Sequence, residues 1–270
     1  MRINQNIMAN NAYRNLSTTN MSLGKSLEKL SSGFRINRAA DDAAGLVISQ
    51  NLRAQTSGLR QATRNAQDGI SVVQTAEGAL NEVHTILNRM RDLSVQAANT
   101  GSNDVAARTA AQSEITALTA EVTRISTSTS FGGTKLLDGT YTAKQFQIGA
   151  NATDILTVTI ADMGSTVIAP TVDVTTETGS AAAIASYDAA IAAVSTARGG
   201  LGAVQNRFES MINNLQVTTE NLVASESRIR DTDMAAEMTN FTKNQILSQA
   251  GTAMLAQANQ VPQSILSLLR

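Results

Sequence analysis

Cysteine and tryptophan are absent from the 270 residues, histidine occurs once and proline twice. Each absence closes off a class of chemistry. Without thiols there are no disulfides, no thiolate metal sites and no cysteine nucleophile. A single imidazole, His84, leaves His-rich metal sites and Ser-His-Asp catalysis without their parts. Charge of neither sign dominates: 21 Lys and Arg face 22 Asp and Glu, so the net charge of −1 carries no global nucleic-acid signal. No apolar run is longer than about six residues (Ala43–Ile48), against the roughly 20 that span a membrane. Residues Met1–Ile7 lack the apolar stretch of a cleavable signal peptide. The chain therefore reads as cytoplasmic, or as exported by a route that recognises something else.

What remains is small and polar. Ala, Thr, Ser, Asn and Gln make up about half the chain, and aromatics are limited to five Phe and three Tyr. Abundant Ala with few breakers favours long uninterrupted helices. Residues 3–32 carry Ile3, Ile7, Leu16, Leu23, Leu27 and Leu30 at helical spacing, with Gly33 as the stop. Asp41-Asp42 opens a second helix from Ala43 to about Asn99. One apolar line on it repeats every seven residues (Leu52, Leu59, Ala66, Val73, Leu80, Leu87). A companion line holds Ile48, Ala62, Ala76, Val83, Met90 and Ala97. Gly69 and Gly78 weaken this helix locally.

After the turn cluster Asn99–Asp104, a shorter helix to about Thr127 places Ala111, Ile115, Leu118, Val122 and Ile125 on one face. Ser126–Gly133 reads as loop and Asp138-Gly139 as a hairpin turn, with β segments at Phe146–Ile148 and Ile155–Ile160. Gly164–Ser180 reads as a loop or short hairpin. From Ala181 a second heptad line follows: Tyr187, Val194, Leu201, Phe208, Leu215, Leu222 and Ile229. Asp231-Thr232-Asp233 breaks it. A final helix carries Leu247, Met254, Ala258, Val261, Ile265 and Leu268, and no charge lies between Gln245 and Leu269.

A helix over 43–98 measures about 84 Å, longer than the roughly 50 Å diameter of a compact globule of this length. The expected fold is mainly α: an elongated antiparallel helical bundle or coiled-coil rod with paired N- and C-terminal helices. Residues 1–42 with 231–270 make a terminal helical domain, and 43–230 the rod, with a small β/loop region at about 131–180. The terminal helices are amphipathic and nearly uncharged, and one pair makes a thin core. Packing against further copies of the chain follows, and a contact that does not close gives a helical filament.

No catalytic constellation emerges. Asp41-Asp42 reads as helix capping rather than a carboxylate pair, since no base, nucleophile or metal partner lies nearby. His84, next to a seam residue, reads as helix surface. Gly132–Lys135 has part of a phosphate loop but lacks its first glycine and its preceding strand. Residues 1–64 hold nine Lys/Arg and three Asp/Glu, spread along helices as a solvated or intersubunit-paired face rather than a nucleic-acid site. No cofactor or metal site is expected.

The segments Met1–Asn4, Leu30–Gly45, Asn65–Ser71 and Gln74–Leu80, with Val261–Arg270 at the other end, resemble bacterial flagellin. The resemblance covers about 1–163 and 181–270. It implies a subunit of the flagellar filament whose termini line an inner core around a narrow channel, with 43–230 as the surrounding tube. Larger relatives carry outer domains where this chain has only about 164–180. It also implies an extracellular filament exported by the flagellar type III apparatus without signal cleavage. Export chaperone, filament cap and junction proteins would be its partners. Toll-like receptor 5 recognition is implied too, through Arg89-Met90-Arg91-Asp92-Leu93 and Glu114, with Asp92 standing where Glu is more familiar. Two rival readings are a hook–filament junction protein and a membrane-active helical protein. The second is disfavoured because residues 245–269 carry no Lys or Arg.

Overall fold

The structure is a computed structural model; it describes residues 5–101, 103–164 and 172–268, with side chains described as far as Val261. It is mainly α, as expected. Helices α1 (Ile7–Ser32), α2 (Ala43–Ala98) and α3 (Val105–Ser128) precede two small hairpins. These pair β1 (Ser130–Phe131) with β2 (Thr134–Lys135), and β3 (Lys144–Gln147) with β4 (Ile155–Val158), both antiparallel. Helices α4 (Glu177–Arg230) and α5 (Met234–Leu268) complete the chain.

The helix ends follow local chemistry. Gly33, at φ 74°, closes α1 with its N–H on the Lys29 carbonyl. Asp104 caps α3 by accepting from the Ala107 N–H, and Asp233 caps α5 by accepting from Ala235 and Ala236. The expected Asp41-Asp42 pair divides its work. Asp42 alone caps α2, accepting from the Gly45 N–H at 2.8 Å. Asp41 accepts from the backbone of Asn37 and Arg38 and folds the preceding loop. Those amides, Arg38 foremost, hold the Asp41 carboxyl below its ordinary value.

Four expectations are corrected. Helix α1 begins at Ile7, because Asn6 caps it. The loop expected over Ser126–Gly133 is instead the last turn of α3 and the β1–β2 hairpin. Gly132 and Gly133, at φ 55° and 83°, supply the two left-handed positions that a tight hairpin turn requires. Asp138-Gly139 makes no hairpin; Asp138 accepts from both the N–H and the hydroxyl of Thr140 in a local turn. Helix α4 starts at Glu177, four residues early, with the Thr176 hydroxyl accepting from the Gly179 N–H. The segment 165–171 lies outside the described residues.

The chain divides into two compact units: Met1–Gln55 with Glu220–Arg270, and Thr56–Thr219. The division falls inside α2 and α4. In the first unit, the start of α2 and the end of α4 are held in by the Arg53–Glu226 ion pair at 3.5 Å.

The second unit contains the main core. Antiparallel packing of α2 on α4 is set by Arg91–Asp188 at 2.6 Å and Arg198–Glu77 at 3.6 Å. Helix α3 adds Ala111, Ile115 and Val122, and the segment around the hairpins adds Leu136, Leu137, Leu156 and Val158. Gly69 is no mere weak point here. A Cβ on it would sit 2.5 Å from the Phe208 ring, so its absence makes the hole this knob fills. Phe146 of β3 meets Phe208 edge-on at 5.4 Å.

Candidate functional site

The terminal helices of the first unit pack antiparallel on each other. Asn6 does two jobs: its side-chain oxygen accepts from the Ala9 N–H to cap α1, while its amide donates to the Ala258 carbonyl of α5. Leu16 lies over Gly251, and the Ser248 hydroxyl donates to Asn20. A short bridge clasps the α1–α2 loop to the α4–α5 junction. Arg35 N–H donates to the Arg230 carbonyl, Thr232 N–H donates to Gly33, and the Arg230 guanidinium sits 4.4 Å from the Phe34 ring centre.

This pair buries little. Of the residues expected to pack there, Ala258 is buried and Leu16, Leu23 and Leu30 are half-buried. Ile7 (63 % exposed), Leu27, Leu247, Met254 and Val261 remain open. Ile3 lies outside the described residues, as do the side chains of Ile265 and Leu268. Between α1 and α5 runs a groove lined by Met8, Leu16, Leu247 and Met254. Apolar surface of this extent on a helix pair with few charges is the mark of an interaction face.

The seam residues behave differently. Leu59, Val73, Leu80 and Leu87 of α2 are buried, with Tyr187, Val194, Leu201, Phe208 and Leu215 of α4. Leu52, Leu222 and Ile229, which belong to the first unit, are only half-buried. The Tyr187 hydroxyl is buried without a hydrogen-bond partner among the described residues, and burial pushes its pKa up.

The receptor-type run is partly surface and partly core. Arg89 donates to Glu114 at 2.8 Å, tying α2 to α3. Arg91 donates to Asp188 of α4, which raises the Arg91 pKa. Both arginines thus pair within the chain. Leu93, 3 % exposed, is a core residue of the bundle. His84 is half-buried, and its Nδ1 has no hydrogen-bond partner among the described residues. Gly132–Lys135 is the hairpin already described. Among the described residues, no group of three or more His, Asp or Glu is placed to hold a metal ion, and no helix is long and apolar enough to cross a membrane.

Sequence reasoning missed the Phe34–Arg230 clasp, the dual role of Asn6 and the Gly69–Phe208 fit. Each joins residues more than 100 positions apart, or, for Asn6, adds such a contact to a local cap. The apolar pair Leu136-Leu137 was the one local signal of a buried hairpin segment.

Residues 3–142 match the bacterial flagellin N-terminal helical region, and residues 184–269 the C-terminal helical region. The chain is 52 % identical over 304 aligned residues to a flagellin of Bacillus subtilis, with both proteins covered in full. It is 47 % identical over 287 residues to the flagellar filament 33 kDa core protein of Treponema phagedenis, again with both covered in full. Among solved structures, the Bacillus cereus flagellin crystal structure aligns with a TM-score of 0.52 at 29 % identity. That alignment covers 56 % of this chain and 88 % of that one. A putative flagellar hook-associated protein of Vibrio parahaemolyticus aligns with a TM-score of 0.61 at 16 % identity, covering 71 % of this chain and all of that one, a likeness of fold alone.

Proposed function

The chain belongs to the bacterial flagellin family, and from that premise we propose that it is the structural subunit of a flagellar filament. Its work is self-assembly and torque transmission, not catalysis. The observation that carries this reading is the open apolar face of the α1–α5 pair in a chain whose relatives include a filament core protein. The terminal domain, 1–42 with 231–270, forms the filament core through Ile3, Ile7, Leu16, Leu23, Leu27, Leu30, Leu247, Met254, Ala258, Val261, Ile265 and Leu268. The 43–230 segment forms the surrounding tube. Near half identity over full length to a flagellin supports this over the hook-junction alternative.

The subunit works outside the cell, in the flagellum, after export without a cleaved signal. Export chaperone, cap and junction proteins handle it on the way. The assembly test takes purified monomer at low micromolar concentration with sheared seeds of its own filament, followed by pelleting and electron microscopy. Full-length chain elongates into hollow filaments, and a chain trimmed of 1–32 and 240–270 stays monomeric. A full-length chain that stays soluble with seeds overturns the reading.

A second activity rests on Arg89, Arg91 and Glu114, which lie on the surface of α2 and α3. The free monomer is recognised there by toll-like receptor 5, with Leu93 supporting the surface from beneath. Arg89→Ala is the informative variant; Leu93→Ala opens a core cavity and confounds folding with recognition. In a receptor reporter cell, Arg89→Ala with unchanged circular dichroism lowers the response severalfold. An unchanged response ends this reading.

A further inference from the structure

The methionines divide between the two units by exposure. Met90 and Met163 of the second unit are buried, and Met211 is half-buried. Met8, Met21, Met234, Met238 and Met254 all belong to the first unit and are 48–66 % exposed. Met1 lies outside the described residues. Met8 and Met254 both line the groove between α1 and α5. Met234 and Met238 stand one turn apart at the start of α5. The chain has no cysteine, so no thiol competes for an oxidant.

From this partition we propose that the five exposed thioethers are an oxidation site that governs polymerisation. The inference rests on the assembly reading above. A peroxide transfers one oxygen to the methionine sulfur; its O–O bond breaks, the sulfur loses two electrons, and the peroxide leaves as water. The product sulfoxide is polar and chiral. Placed on a face that must be covered by another subunit, it brings an unpaired strong acceptor into an apolar contact. The oxidised monomer keeps its fold, because the buried Met90 and Met163 are shielded, but cannot join a filament end. Once a subunit is incorporated, the same five sulfurs are covered and resist oxidation. The change is reversible, since one sulfoxide reductase acts on each epimer. Leucine packs an apolar face as well as methionine does and cannot be oxidised in this way.

The test treats folded full-length monomer with hydrogen peroxide, maps sulfoxides by peptide mass spectrometry, and measures elongation from untreated seeds. Met8, Met21, Met234, Met238 and Met254 are modified before Met90 and Met163, and elongation falls about tenfold or more, the cost of one unpaired polar group at an interface. The two sulfoxide reductases together restore elongation. A variant with all five changed to Leu elongates after the same peroxide dose. If that variant does not assemble untreated, the reductase arm decides: recovery supports the proposal and no recovery overturns it. Oxidised monomer that elongates at the untreated rate overturns it as well. So does a five-Leu variant as peroxide-sensitive as wild type, or equal modification of these sulfurs in preformed filaments. Untreated wild type that never elongates from seeds defeats the assembly reading itself, and this inference with it.

Discussion

The same heptad lines run through both compact units and meet different surroundings in each. On α2, Ala62, Ala76, Val83, Met90 and Ala97 are buried, while Ile48 on the same line is half exposed. On α4, Tyr187 to Leu215 are buried at every seventh position, while Leu222 and Ile229 are not. The second unit adds α3 and the hairpin segment to its helix pair, so its seams are covered from several sides. The first unit covers its terminal helices mainly with each other. Periodicity therefore marks which face is apolar, and the number of elements brought to that face decides whether the chain buries it or leaves it for another copy.

The comparison breaks most sharply at Phe208. Phe208→Ala removes the knob between Gly69 and Phe146 and costs about 3–5 kcal/mol of stability, read by denaturant unfolding. Ile7→Ala in the first unit leaves monomer unfolding within about 0.5 kcal/mol, because the side chain is already in water. The same change slows seeded elongation. A Phe208→Ala chain as stable as wild type, or an Ile7→Ala chain as unstable as Phe208→Ala, would erase the distinction between the units.

Two glycines on one helix sharpen it next. Gly69→Ala forces a Cβ into the Phe208 ring and costs about 1–3 kcal/mol despite alanine's better helix propensity. Gly78→Ala meets nothing within 4 Å among the described residues and gains up to about 1 kcal/mol. Opposite signs in thermal unfolding are expected, and equal signs would refute the packing argument.

At Tyr187 the effect is smaller. Tyr187→Phe removes a buried hydroxyl that has no partner among the described residues and is neutral or stabilising by about 1 kcal/mol. The pH sign follows from its raised pKa. The neutral phenol is the form the fold accepts, so stability is intact below the ordinary tyrosine value near 10 and falls as pH rises above it. Absorbance near 295 nm tracks tyrosine ionisation, and Tyr187→Phe reduces the alkaline loss of stability, leaving the share of Tyr141, whose pKa burial also raises. The least effect is expected at Asp42. Asp42→Ala deletes the α2 cap, which costs about 1 kcal/mol and is visible as fraying by hydrogen exchange at the start of that helix.

Much of this protein was legible in the residues. The spacing of leucines, valines and alanines placed α1, α2, α3 and α5 to within a few residues of their observed ends, because side chains three, four and seven apart share one face of a helix. Gly33 and Asp233 announced their caps, since those roles depend on the backbone of one turn. The apolar, charge-poor character of the termini likewise pointed to a face in need of cover. Tertiary structure alone decided the rest. It made Gly69 a socket rather than a weakness, placed Leu93 in the core beside surface arginines, and joined Phe34 to Arg230 across the chain. It also chose Gly132-Gly133 over Asp138-Gly139 as the hairpin turn. The physical reason is one of range: a cap or a helical face depends on neighbours within a few residues, whereas burial and fit depend on what distant segments bring to the same place.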